Sequence, residues 1–132
     1  MDQVADSSIW VDHLRPTTKA SVRLLANEVI SRPSLALCEP VCFELLRLAP
    51  QQARKMLEST LSIIPMLTTP LKLWQQATKN GQLCRDQGIQ TGSLDLLIAT
   101  ICLHHQATLV TFDTAFEKIG KVLVFDVELL RK

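Results

Sequence analysis

Short apolar runs alternate along the chain with longer segments whose apolar residues recur every three or four positions, and this alternation restricts the fold more than any other feature. A short strand ends at Asp6, and further strands are expected at Leu35–Cys38, Ala107–Thr111 and Lys121–Phe125. Between them lie helix patterns: IWVDHLR, capped by Ser7 and Ser8 and stopped by Pro16, and Thr17–Arg32, whose face is Val22, Leu25, Ala26, Val29 and Ile30. More follow from Pro40 to Leu48, from Pro50 to near Ile63, and from Pro70 to Gly88, where Leu73, Trp74, Ala77, Leu83 and Cys84 form a core face interrupted by Gly81. An extended piece is expected around Ile63–Leu67, a strongly apolar helix at Leu94–His105, and a helical turn at Ala115–Ile119. Strands that alternate with helices require crossover connections, hence an α/β fold with a mostly parallel sheet and helices on both faces.

The chain has 132 residues, 47% apolar and 20% charged, which suits a single domain over 1–132 and excludes a disordered polymer. The start MDQVADSS lacks the basic and apolar stretches of a signal peptide, and the run Leu96–Leu103 is far shorter than a membrane span, so a soluble cytoplasmic protein with no membrane association is expected. Cys38, Cys42, Cys84 and Cys102 read as small buried residues. The alternative, a zinc site made by Cys38 and Cys42 with His104 or His105, lacks a second closely spaced pair.

Most of the 13 acids, Asp2, Asp12, Glu28, Glu58, Asp86 and Glu117 among them, have the neighbours of a hydrated surface. Four interrupt apolar sequence instead: Asp6 in VADSSIW, Glu44 in PVCFELL, Asp95 in SLDLLIA and Asp113 in LVTFD. A carboxylate carried towards a core must be paired, hydrogen-bonded or metal-bound. Asp6 and Asp113 each end an expected parallel strand, the edge where open α/β sheets place ligands. Asp95 falls at the second helical position if Ser93 is the cap, and Glu44 lies early in its helix. Each has a plain structural reading: turn or cap for Asp6, first-turn acid for Asp95, a pair with Arg47 for Glu44, a turn for Asp113. Asp126 in VFDVELL is read as merely ending the last strand. Jointly the four require cations at one edge, and an all-oxygen set favours Mg²⁺ or Mn²⁺.

These segments, in this order, resemble the PIN domain, and specifically the VapC-like ribonuclease toxins of toxin–antitoxin pairs. VADSSIWVDHLR resembles the family's opening strand, CEPVCFELLR the segment with its helical Glu, and GSLDLLIATICLHHQATLVTFDTAFEKI its closing segment. The resemblance implies that Asp6, Glu44, Asp95 and Asp113 form a catalytic, metal-binding site, with Ser8 and Thr111 as supporting hydroxyls. Ala115 departs from the family, many members of which carry another acid there, so the resemblance leaves the number of metal ions open. It further implies metal-assisted endoribonuclease cleavage of RNA to 5′-phosphate and 3′-hydroxyl ends, a cognate antitoxin as protein partner, and a homodimer, with the early helices and the helix from Pro70 as candidate surfaces.

Arg15, Arg47, Lys79 and Arg85 are the candidate phosphate contacts. Trp10 and Trp74 are read as core, and His13, His104 and His105 as helix-end cations. Overall the chain is nearly neutral, 14 basic residues against 13 acidic. With the four site acids set aside, nine remain against the 14, which makes the rest of the surface basic enough to meet RNA. Two other readings compete. A receiver-like Mg-binding phosphoacceptor domain expects paired acids after the first strand and a Lys ending the last, whereas Asp6 is followed by two serines and Lys121 precedes its strand. A catalytically inactive PIN binding module expects the acids to be missing, and all four are present.

Overall fold

A computed structural model describes all residues, 1–132. Its elements run β1 (Gln3–Ala5), α1 (Ser7–Leu14), α2 (Ala20–Ile30), β2 (Leu35–Ala36), α3 (Glu39–Leu48), α4 (Arg54–Ser62), α5 (Leu73–Asp86), α6 (Ser93–His105), β3 (Thr108–Thr111), α7 (Thr114–Leu123) and β4 (Val127–Leu129), with a short 3-10 turn at Gln51–Ala53 before α4. The four strands form one parallel sheet in the order β2-β1-β3-β4. Val4, Ala5, Leu109, Val110 and Thr111 are all fully buried. Consecutive strand residues point to opposite faces, so burial of every one means that helices cover both faces, as a parallel sheet requires. The α/β architecture expected from the alternating pattern is therefore the observed one. No helix is long and apolar enough to cross a membrane.

Register places the two central strands so that they end together. Ala5 pairs with Val110 and Thr111 with Leu129, so Asp6 and Asp113 emerge at the same carboxyl edge. On the outer side, Leu37 bridges Met66 in parallel, which is all that the extended piece at Ile63–Leu67 contributes to pairing.

Several expectations need correction. Asp6 itself caps α1, and Ser7 is already its first residue. The helix expected over Thr17–Arg32 begins only at Ala20. Gly81 lies inside a continuous α5; a Cβ there would sit 2.8 Å from Leu96 Cδ2, so the glycine is what lets α5 lie close against α6. Trp74 and Leu83 are exposed, because α5 buries Leu73, Ala77 and Cys84 instead. Trp10, by contrast, is fully buried as expected.

The largest correction concerns Lys121–Phe125, which is not a strand. α7 runs on through Leu123, burying Phe116, Ile119, Gly120 and Leu123 at three- and four-residue spacing, and Val124 ends it in a left-handed conformation (φ 59°). The last strand starts at Val127, so Asp126 precedes it rather than ending it. Gly120 permits that return, since a Cβ there would lie 2.7 Å from Val127 Cγ2 and 3.2 Å from the Phe125 carbonyl.

β4 is tied down by Arg32, two residues beyond α2. Its guanidinium donates to both carboxylate oxygens of Glu128 at 3.0 Å, to Glu28 at 2.7 Å and to Gln3 at 3.1 Å, joining α2, β1 and β4. Cys38, Cys84 and Cys102 are buried and Cys42 is half-buried, all as free thiols. Burial pushes the Cys38 thiol up to about 12, and His105 is engaged with the Thr68 carbonyl at 2.7 Å. Nothing favours the zinc alternative.

Candidate functional site

The site starts from β1–β3 pairing. The Asp6 amide donates to the Val110 carbonyl at 3.1 Å, which fixes the residue where β1 ends. Its side chain is almost completely buried and every contact it makes is a donor. Oδ1 accepts from the Ser8 hydroxyl at 2.6 Å and from the Ser8 and Ile9 amides at 3.1 and 3.4 Å, while Oδ2 accepts from the Thr111 hydroxyl at 2.7 Å. Donors of this kind are what a buried carboxylate needs in order to stay charged.

The same hydroxyls carry the order across to β3. Thr111 Oγ1 accepts from the Asp113 amide at 2.9 Å, and Ser8 Oγ accepts from the Phe112 amide at 3.2 Å. Asp113 in turn caps α7 by accepting from the Ala115 amide at 2.9 Å. Thr111 and Ser8, expected as supporting hydroxyls, thus lock the first and last of the four acids into one frame.

The other two acids come from helices. Glu44, in α3, accepts from the Ser7 hydroxyl; Arg47, its expected partner, instead lies over the Phe43 ring at 5.7 Å. Asp95 stands third in α6, whose cap is Gly92 rather than Ser93, in the first turn where the helix dipole favours an anion. All four acids line one open pocket of about 350 Å³ at the carboxyl edge of the sheet.

The charges there are in tension. Asp95 is pushed up to about 6, first by burial and then by Asp113, Asp6 and Glu44. Asp6 is also raised, by burial and to a lesser degree by Asp113, against the pull of its hydrogen bonds from Ser8, Thr111 and Ile9. As they stand, no three of these side chains close tightly enough to enclose a metal ion. The donor set nevertheless suits a hard divalent cation: carboxylate oxygens alone, sharing one pocket, with Asp95 and Asp6 destabilised by their acidic neighbours.

Of the four cations expected to meet phosphate, only Arg15 lines this pocket. Lys79 lines a separate polar hollow with Gln76, Asn80 and His104, between α5 and α6. Arg47 and Arg85 are exposed and line neither. Two residues that the sequence reading passed over are present instead. Asp12, taken for a surface acid, is buried and forms part of the pocket wall, and Lys132 reaches in to meet it, Nζ to Asp12 Oδ2 at 2.8 Å. Asp12 lies six residues after Asp6, a spacing that does not bring two residues to one side of a helix; nothing near Lys132 in sequence announces it either.

Comparison with known proteins shows what the whole chain is similar to. The family model described as PIN domain matches residues 4–122. Ribonuclease VapC11 of Mycobacterium tuberculosis and VapC ribonuclease Mb1587 of Mycobacterium bovis are each 29% identical over 123 residues, 89% of this chain and 90% of theirs. Among solved structures, VapBC2 from Rickettsia felis, bound to a DNA fragment from its promoter, superposes with a TM-score of 0.72 at 18% identity, over 98% of this chain and 99% of that one. FitAcB from Neisseria gonorrhoeae does so with a TM-score of 0.69 at 16% identity, over 96% of each chain.

Proposed function

Because the chain belongs to the PIN domain family, we propose that it is a metal-dependent endoribonuclease, the toxin of a toxin–antitoxin pair, acting as a single domain over residues 1–132. The observation that carries this reading is the convergence of Asp6, Glu44, Asp95 and Asp113 from four separate elements on one pocket, with Thr111 binding the first to the last. The naming of its relatives as VapC ribonucleases supports the activity. That several structural neighbours are VapBC assemblies supports a protein antitoxin as partner. A homodimer and a cytoplasmic location belong to the same proposal.

Asp6, Asp95, Asp113 and Glu44 would hold Mg²⁺ or Mn²⁺, which when bound acidifies a coordinated water and offsets charge developing on the phosphoryl group. The chain's own part is positional. Ser8 and Thr111 aim Asp6 and oppose the upward push of burial on it, Ser7 steers Glu44, and the α6 N-terminus steadies Asp95. Asp6, with its donors spread over both oxygens, is a positioned ligand rather than a free base. Asp95, held in the first turn of α6 and pushed up by burial and by Asp113, Asp6 and Glu44, is the acid whose charge a bound cation would relieve most.

The test is cleavage of RNA in Mg²⁺ or Mn²⁺ by the wild type and by the Asp6→Asn/Asp95→Asn double variant. Outer-shell substitutions at metal sites commonly cost ten- to a hundredfold, so loss of two ligands should exceed about a hundredfold. The fold should stay intact by circular dichroism. Undiminished cleavage by the purified double variant overturns the proposal.

A further inference from the structure

Carboxylates that attract a cation also repel a phosphodiester, so a nuclease pocket built from them needs positive charge beside the metal. Two cations line it, Arg15 and Lys132. Arg15 is exposed just beyond the end of α1, and its side chain makes no hydrogen bond or ion pair.

Lys132 is held from two sides. Its ammonium is 2.8 Å from Asp12 Oδ2, a carboxylate whose side chain is only 11% exposed, and 5.0 Å from the centre of the Phe112 ring. Phe112 sits between Thr111 and Asp113, and its amide donates to Ser8 Oγ, so the ring is anchored to the frame of the acidic site. The main chain leading there is fixed as well, since the Leu130 amide donates to the Thr111 carbonyl at 2.8 Å. An ammonium carries three donors. Asp12 takes one, and the side chain, which lines the pocket, is still 53% exposed, so the remaining donors are open to an incoming anion. A cation tethered this way pays little entropy to meet an anion.

We infer that Lys132, tethered by Asp12 and Phe112, is a substrate-binding residue that receives a backbone phosphate of the RNA at the mouth of the carboxylate pocket. The inference rests on the ribonuclease reading and adds to it a residue from outside the four acids. Lys132 touches the substrate backbone, and the scissile bond is left to the acids. Asp12 acts through Lys132 by keeping it in place.

The experiment measures cleavage kinetics and the salt dependence of RNA binding for wild type, Lys132→Ala and Lys132→Arg, with thermal melts of all three. Binding is followed with single-stranded RNA in the Asp95→Asn background, with and without Lys132→Ala. Lys132→Ala should raise KM about five- to tenfold with kcat within about twofold, because an interaction made equally in ground and transition states affects binding alone. Its log K against log salt slope should fall by about 0.7, as expected when one phosphate fewer is neutralised on a single strand. Lys132→Arg should restore most of both. An alanine variant that melts as the wild type does, with unchanged KM and salt slope, overturns the inference and leaves the ribonuclease reading standing. Faster cleavage by that variant also overturns it, because the ammonium would then be obstructing the site. A wild type that neither binds nor cuts RNA overturns both.

Discussion

The Arg32 cluster and the carboxylate pocket gather acids around the same sheet and treat them in opposite ways. Around Arg32, Glu28 and Glu128 share one guanidinium, and its hydrogen bonds hold the Glu28 carboxyl below the ordinary range. In the pocket, none of Asp6, Glu44, Asp95 or Asp113 has an ion pair, and burial and mutual repulsion push Asp6 and Asp95 up. The first arrangement is satisfied by the chain alone. The second is stabilised only by hydroxyl and amide donors, which leaves it ready for a ligand of positive charge. Satisfied charge fastens β4 to the fold, and unsatisfied charge is what the proposed chemistry draws on.

Thr111→Val is the sharpest way to break this contrast. It removes the donor to Asp6 Oδ2 and the acceptor for the Asp113 amide while keeping the shape, and leaves a buried carboxylate oxygen unpaired. We expect RNA cleavage to fall by about ten- to a hundredfold, as for other outer-shell losses, and stability by about 2 kcal/mol, read by initial rates and urea unfolding. Wild-type values in both would mean that the Thr111 frame is dispensable.

Arg32→Ala tests the other side. Its pairs are partly exposed, so screening limits each to about 1 kcal/mol or less, and we expect a total loss of about 1–2 kcal/mol that shrinks in high salt, with cleavage per folded molecule unchanged. A large drop in cleavage without unfolding would show that the two clusters are coupled.

The smallest effect is the most diagnostic. A carboxyl raised to about 6 binds protons more tightly in the folded state, so its contribution to stability is fully present below its unfolded value, near 3.8, and is lost as pH rises towards about 6. Asp95→Asn, measured in chelator, should therefore stabilise the fold by about 1 kcal/mol at pH 7 after allowance for solvent screening, and by nothing near pH 4. An equal gain at both pH values would mean that strain rather than charge is being relieved.

Much of this was legible beforehand, for identifiable reasons. β1 and β3 are short apolar runs ending in an acid, and parallel pairing leaves such acids one place to go. Glu44 and Asp95 were conspicuous because their neighbours are apolar. Lys121–Phe125 was misread because a brief apolar run fits a buried strand and a buried helix face equally well, and here Phe116, Ile119 and Leu123 extend the helical phase. Trp74 was misplaced because its position beside Leu73 does not say which of the two faces inward. Asp12 and Lys132 were invisible because their contact joins opposite ends of the sequence.

The Asp6–Thr111 bond closes a loop of 105 residues. During synthesis the chain emerges with Asp6 and Glu44 in hand long before the strand that aligns them, β3, and contacts between residues this far apart in sequence slow folding. A chain that stops before β3 has neither Thr111 nor Asp113 and cannot assemble the pocket, so the hazard proposed for this protein arises only once that late strand is made.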